Sequence, residues 1–482
     1  MDFHLIHFNP MKAAVPLYQD LASRLAGLIR AGTFSAGDRL PSVRQASKEH
    51  QVSITTVMEA YRSLEDQGII EARPRSGYYV PPPSLDVSKL PLAVRHSTKP
   101  IVIAQTSIFQ SVMDLAENRN VIPFAAAAPD DSIIPAAKLA TITNAVLRKF
   151  KSDALRYTPP MGRRELRVAL SRRLLVAGIK AGPDEIITTQ GATEALLLAL
   201  RATTKRGDLV AVETPTYFGI LHLIRDLGLR AIEVPVCARD GMAIDALETA
   251  LKKHRIAACV VQPNFQNPIG SVMSAESKKR LAKLSEDHQF AIIEDDVYGE
   301  LSHDGGRPSS IALYGGNVIH CGSISKTLAP GLRVGWMVPG SWLDEVKRLK
   351  TIQCPWNTTL SELVVAGFLD AGGYDRHLRR IRELYSLQCA RTRQAVVRFF
   401  PPDCRVNQPA GGFVLWLEMP SGFDSEAFTV AAVANGISLV PGTLFSPSGG
   451  LKNCFRLSCG FAFGPRTLDA IATLAKLAEQ NS

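Results

Sequence analysis

A chain of 482 residues exceeds what one ordinary core encloses, so two or three domains are expected. Hydrophobic residues make up 46% of it and charged residues 21%, which excludes a disordered polymer, and no stretch approaches the ~20 apolar residues of a membrane-spanning helix. The net charge of +10 suits anionic partners, nucleic acid or phosphorylated ligands, without choosing between them.

In chain order, the first fifteen residues carry Asp2, His4 and His7 where a signal peptide would need a clean apolar run. Three textures follow. Residues 1–80 are helical in pattern and end in a hairpin. Residues 81–121 open with Pro81-Pro82-Pro83 and read as a linker. Residues 122–482 alternate short apolar runs with amphipathic segments, the pattern of a mostly parallel sheet covered by helices.

In the first region, Leu17, Leu21, Leu25 and Leu28 predict a helix over 17–31. Ser42 can cap a second helix reaching His50, and Ser53 a third that buries Val57, Tyr61 and Leu64. Two short helices joined through Gln51-Val52 make a helix-turn-helix candidate. Its exposed turn (Ser53, Ile54, Thr55, Thr56) is the part that can reach base edges. Strands are expected at 69–72 and 78–80, around the tip Arg73-Pro74-Arg75-Ser76-Gly77, which suits a wing gripping phosphates. The same three helices and hairpin would also serve a protein-docking cap, and acids nearly balance bases here.

The wording of the segment is more specific. Gly37-Asp38-Arg39-Leu40-Pro41-Ser42-Val43-Arg44, then Val52 through Tyr61, then Leu64 and Gly68, resembles the winged helix of GntR-type bacterial regulators over about 16–80. The resemblance implies operator contacts from Arg44, from the start of the third helix (Ser53, Thr55, Thr56) and from the wing (Arg75, Ser76, Gly77). The family usually places Arg directly after the Ser that begins the recognition helix. This chain has Ile54.

In the large region, strands are expected at 186–189, 209–213, 258–262, 291–294 and 318–321. The strongest chemical signal follows the last of these: Ser323-Ile324-Ser325-Lys326-Thr327 running on to Arg333-Val334-Gly335. A lysine in a hydroxyl-rich loop can form an imine with an aldehyde cofactor once it loses its proton. Ser323, Ser325 and Arg333 suit a phosphate. Gly191-Ala192-Thr193 opens an apolar helix whose N-terminal N–H groups suit the same anion, although such a turn is also an ordinary strand-to-helix corner. Tyr217 can stack on a flat ring or simply pack in the core. Asn267, in a turn containing Asn-Pro and Gly, can donate to a phenolate oxygen. Asp295 closes a strand where open α/β sheets place ligands, and an aspartate facing a pyridine nitrogen would make the ring an electron sink.

This order of motifs resembles the aspartate-aminotransferase superfamily of fold-type I pyridoxal-phosphate (PLP) proteins over about 122–480. The resemblance implies Lys326 as the Schiff-base lysine and Asp295 as the partner of the pyridine nitrogen. Asn267 and Tyr298 would meet the phenolic oxygen, and Tyr217 would stack on the ring. Gly191, Ala192, Thr193, Ser323, Ser325 and Arg333 would hold the phosphate. Tyr157 would reach the phosphate of a neighbouring subunit, hence a homodimer, and Arg456 would clamp a substrate carboxylate. Alanines at 125–128 replace the usual glycine-containing loop on the substrate side.

A winged helix, a linker and an aminotransferase-like domain in this order resemble MocR/GabR-type regulators. That implies a PLP-dependent transcription factor bound to double-stranded operator DNA, sensing an amino compound or PLP through an aldimine at Lys326. A working aminotransferase with an attached DNA-binding module and a PLP reservoir are the alternatives. The eight cysteines begin only at Cys237 and form no CxxC pair, which points to reduced thiols in a cytoplasm, a bacterial one by the resemblance, and no metal site.

Overall fold

The structure, a computed structural model, describes residues 16–30, 32–73, 76–81, 90–91, 98–103 and 121–480. The chain divides into two compact units, Met1–Ser84 and Leu85–Ser482.

The small unit packs three helices against a hairpin: α1 (Leu17–Arg30), α2 (Val43–His50), α3 (Ile54–Asp66), β1 (Glu71–Arg73) and β2 (Gly77–Tyr79). Leu21, Leu25 and Ile29 of α1, spaced four apart, meet Val57, Ala60, Tyr61 and Leu64 of α3 in one core. Leu17 and Leu28 stay exposed, because the 3.6-residue period carries the buried stripe to Ile29 instead. The Ser42 hydroxyl accepts from the Gln45 N–H and the Ser53 hydroxyl from the Thr56 N–H at 3.0 Å, so both caps form where the sequence places them. The Tyr61 hydroxyl donates to the Pro41 carbonyl at 2.8 Å, fixing α3 against the loop before α2. The hairpin pairs Glu71 with Tyr79 and Arg73 with Gly77, about two residues later at its start than the apolar run suggests.

In the large unit, β3 (Ile122–Pro123) leads into an eight-stranded sheet. Its members are β4 (Ile187–Thr189), β5 (Leu209–Thr214), β6 (Arg230–Cys237), β7 (Gly241–Met242), β8 (Ile256–Val261), β9 (Ala291–Asp295), β10 (Val318–Ser323) and β11 (Gly335–Val338), in the order β4-β11-β10-β9-β8-β5-β6-β7. The five strands from β10 to β6 are mutually parallel, and β11 runs antiparallel to both its neighbours. Continuous apolar runs such as Leu-Val-Ala-Val in β5 and Ala-Ile-Ile in β9 suit this, since separate cores cover the two faces. A second sheet, antiparallel throughout, joins β12 (Arg405–Val406), β13 (Val414–Glu418), β15 (Val440–Pro441) and β16 (Cys454–Ser458). Between these, β14 (Ile437–Ser438) pairs with β3.

The stretch expected to be a linker lies mostly outside the described residues. Ile101 within it exchanges two backbone hydrogen bonds with Ala231 at 2.8 Å, and Ile103 is buried in the sheet's core. Strand β6 meets the short edge strand β7 only at Val236 and Cys237, so the start of β6 has groups to offer. Among the described residues, no helix is long and apolar enough to cross a membrane.

Candidate cofactor and ligand site

The C-terminal ends of the parallel strands bring distant residues into one cavity of about 300 Å³, lined by Ala125, Ala126, Ala127, Ala192, Thr193, Tyr217, Asn267, Asp295, Tyr298, Ser323, Ser325, Lys326, Arg333 and Arg456 among others. Eleven of the residues named from sequence stand on this wall. Most arrive just beyond the end of a strand or in the first turn of a helix, where the backbone stops pairing and side chains turn toward the crevice, while Arg456 comes from the middle of the antiparallel strand β16.

Lys326 follows β10, and its amine donates to the Ala127 carbonyl at 2.6 Å. Burial, then Arg456 and Arg333, pull the amine down to about 8, while Asp295 opposes them. The neutral fraction at pH 7 rises by about two orders of magnitude over an ordinary lysine. Asp295 ends β9 and is pushed up to about 6 by burial, against a hydrogen bond from Gln262. Its Oδ2 accepts from Gln262 Nε2 at 2.6 Å, and its Oδ1 is buried without a partner. The buried Tyr298 hydroxyl also lacks a partner, and burial raises it. These are the atoms that a pyridine nitrogen and a phenolic oxygen would satisfy.

The anion end is built around Gly191, at φ +90°, directly before the helix Ala192–Thr203. A Cβ at Gly191 would fall 2.5 Å from an Arg333 guanidinium nitrogen, so only glycine leaves this arginine its place. Arg333 also donates to the Gln190 carbonyl at 2.8 Å. The Ser323 and Ser325 hydroxyls lie 2.8 Å apart beside it. This donor set and the unpartnered oxygens fit PLP.

Arg456, in β16, is 1% exposed. One guanidinium nitrogen donates to Asn267 Oδ1 at 3.2 Å and another to the Ala125 carbonyl, while Nε has no partner. Among the described residues, it is the one cation besides Arg333 and Lys326 on the cavity wall. Tyr217 precedes the helix Phe218–Asp226 and packs on Phe218, with ring centroids 4.8 Å apart.

Tyr157 does not line this cavity. It is 77% exposed and rests on Trp356, with centroids 4.9 Å apart, in a separate depression with Asn357 and Thr359. In the small unit, Arg44, Ser53 and Thr55 are exposed, Thr56, Ser76 and Gly77 half-buried, and Arg75 lies outside the described residues. The Ser53 hydroxyl is already committed to the helix cap. Ser76 bonds the Tyr79 hydroxyl at 2.7 Å, and Gly77 adopts φ +114°.

Two groups escaped the sequence reading. Gln262, just beyond β8, holds both Asp295 and the Asn267 N–H. Glu213 in β5 is fully enclosed and pushed up to about 8 by burial. Their signal was a polar residue closing a run of apolar ones. Nearby, Glu294, Asp296 and His320 cluster closely enough to suggest metal ligands. Their oxygens are already engaged: Asp296 by Arg307 at 2.6 Å and Asn264 at 2.9 Å, Glu294 by Ser310. That makes the cluster an internal ion-pair network.

The chain matches the family model for aminotransferase class I and II over residues 118–472 and that for bacterial regulatory proteins of the gntR family over 17–80. It is 35% identical to the HTH-type transcriptional regulator YdcR of Escherichia coli, over 96% of this chain and 99% of that one. It is 30% identical to aromatic-amino-acid aminotransferase 1 of Thermococcus litoralis, over 77% of this chain and 91% of that one. The solved structure of LysN, the alpha-aminoadipate aminotransferase of Thermus thermophilus in complex with N-(5'-phosphopyridoxyl)-L-leucine, superposes with a TM-score of 0.72 at 28% identity, covering 78% of this chain and 95% of that one. A gntR-type winged helix followed by a PLP-dependent, fold-type I aminotransferase unit defines the MocR-type transcriptional regulators, and this chain belongs to them.

Proposed function

We propose that the protein is a cytoplasmic, dimeric regulator whose winged helices hold double-stranded operator DNA and whose large unit reads an amino compound at a PLP site. The observation that carries this reading is the pairing, in one chain, of a gntR-type domain with a cavity whose free polar atoms match the cofactor. When bound, PLP supplies an aldehyde that captures primary amines and a ring that withdraws electrons from them.

The residues divide the work. Lys326 offers an amine already depressed to about 8. Asp295 holds the ring nitrogen, Asn267 and Tyr298 the phenolic oxygen, and Tyr217 covers the ring. Gly191, Ala192, Thr193, Ser323, Ser325 and Arg333 hold the phosphate, and Tyr157 reaches the partner subunit's site. Arg456 grips a ligand carboxylate with a planar fork. On DNA, Arg44, Arg75, Ser76 and Gly77 track phosphates, while Thr55, Thr56 and the Ser53 turn face base edges. An amino compound need only bind two arrangements of the chain unequally to change operator affinity.

The test is binding to the gene's own upstream region against random duplex over a range of salt, with PLP and with panels of amino compounds. A salt-dependent preference that one amine class shifts is expected. Equal affinity for both duplexes overturns the DNA reading. The depressed Lys326 amine also favours a second reading, a working aminotransferase, since the same amine can move a proton on a bound substrate. Many turnovers with an amino acid and a keto acid at ordinary enzyme rates would replace the sensor with that enzyme.

A further inference from the structure

We infer that Gln262 is a positioning residue of the cofactor site, its one amide clamping the Asp295 carboxylate and the Asn267 backbone in fixed register. The inference rests on the reading above, that the cavity takes PLP. Gln262 is 2% exposed and lies immediately after β8. Its Nε2 donates to Asp295 Oδ2 at 2.6 Å. Its Oε1 accepts from the Asn267 N–H at 3.0 Å. Its own backbone N–H donates to Glu213 Oε2 at 2.9 Å. The strands β5, β8 and β9 are neighbours in the sheet, so Glu213, Gln262 and Asp295 form a row across their C-terminal ends.

The chemistry of an amide explains the choice. A primary amide is donor and acceptor at once, so one side chain serves both an acid and an N–H. By occupying Oδ2, it leaves Oδ1 of Asp295 as the oxygen free for the ring nitrogen. By holding the Asn267 N–H, it sets the turn that carries the Asn267 side chain to the same ring. A carboxyl at 262 would stand between two buried acids, where like charges repel. Burial disfavours the ionised Asp295, and the Gln262 hydrogen bond is the main force opposing it.

The experiment measures PLP dissociation constants, by visible absorbance, for the wild-type chain, Gln262→Leu, Asp295→Ala and the double variant. A hydrogen bond to a charged group corresponds to about a 10- to 100-fold weakening in Gln262→Leu. If Gln262 works through Asp295, the same change in the Asp295→Ala background weakens binding less than about threefold. Gln262→Glu keeps the acceptor for Asn267 and provides the measurement should the leucine variant fold poorly. Its loss of affinity is expected to grow from pH 6 to pH 8 as the new carboxyl ionises beside Asp295. Wild-type affinity in either variant, or an equal loss in both backgrounds, overturns the inference. A wild-type chain that does not bind PLP overturns the cofactor reading and this inference together.

Discussion

In the small unit three of the residues proposed to meet DNA, Arg44, Ser53 and Thr55, are exposed, and their neighbours fold around a separate core of Leu21, Val57 and Tyr61. In the large unit Asp295 and Arg456 are buried, and they and Lys326 are all held by atoms from other segments of the chain. A surface that must meet a polyanion needs reach and can tolerate local change. A cavity that must present single atoms to a small ligand needs every position fixed by a second residue. Substitutions at the two sites should therefore separate cleanly.

The largest separation is expected from Lys326→Ala. It should abolish the visible absorbance that PLP gains on binding, while salt-dependent DNA binding persists. An unchanged spectrum would remove Lys326 from the site. Next comes Gly191→Ala, which sets a Cβ against Arg333 at a backbone angle that favours glycine. A weakening of PLP binding by about 10- to 100-fold is expected by titration, with DNA binding unaltered. The reverse pattern belongs to Ser53→Ala, which removes the cap of α3. It should cost the small unit about 1 kcal/mol, read as a lower denaturation midpoint, and leave the PLP constant as it was.

The last effect, on the pH dependence of stability, concerns Glu213. Its folded value of about 8 lies above the ordinary 4.5, so the folded chain holds a proton that the unfolded chain has lost between those values. Stability from this group therefore falls as pH rises through that window. Glu213→Gln should flatten the decline in melting temperature from pH 5 to 8, and equal slopes for the two proteins would contradict the assignment.

The sequence was legible where chemistry narrows the choice of residue. Lys326, Asp295 and Arg333, singled out by their motifs, line one cavity, and the apolar runs mark β5, β8, β9 and β10 to within two residues. Ser42 and Ser53 marked their helices because a cap is a local bond. Gln262 was not legible, since an amide after a strand is generic until its partners, far along the chain, are in place. The carbonyls of Ala125 and Ala127 were invisible for a stronger reason: any residue supplies a carbonyl. Ile101-Val102-Ile103 was too short a run to announce a strand, and only the open edge of β6 gives it one to meet.

Those two carbonyls have a consequence. Lys326 leans on Ala127 and Arg456 on Ala125, two residues apart in one segment. The segment is pinned at either end, where the Ser458 N–H meets the Phe124 carbonyl and the Asp130 N–H meets the Gly460 carbonyl, both at 2.9 Å. Between those ends, two of its carbonyls receive the donors of these two side chains. The alanine stretch is thus a backbone strap: two of its carbonyls seat a lysine and an arginine on the same cavity wall, a task that asks nothing of its side chains.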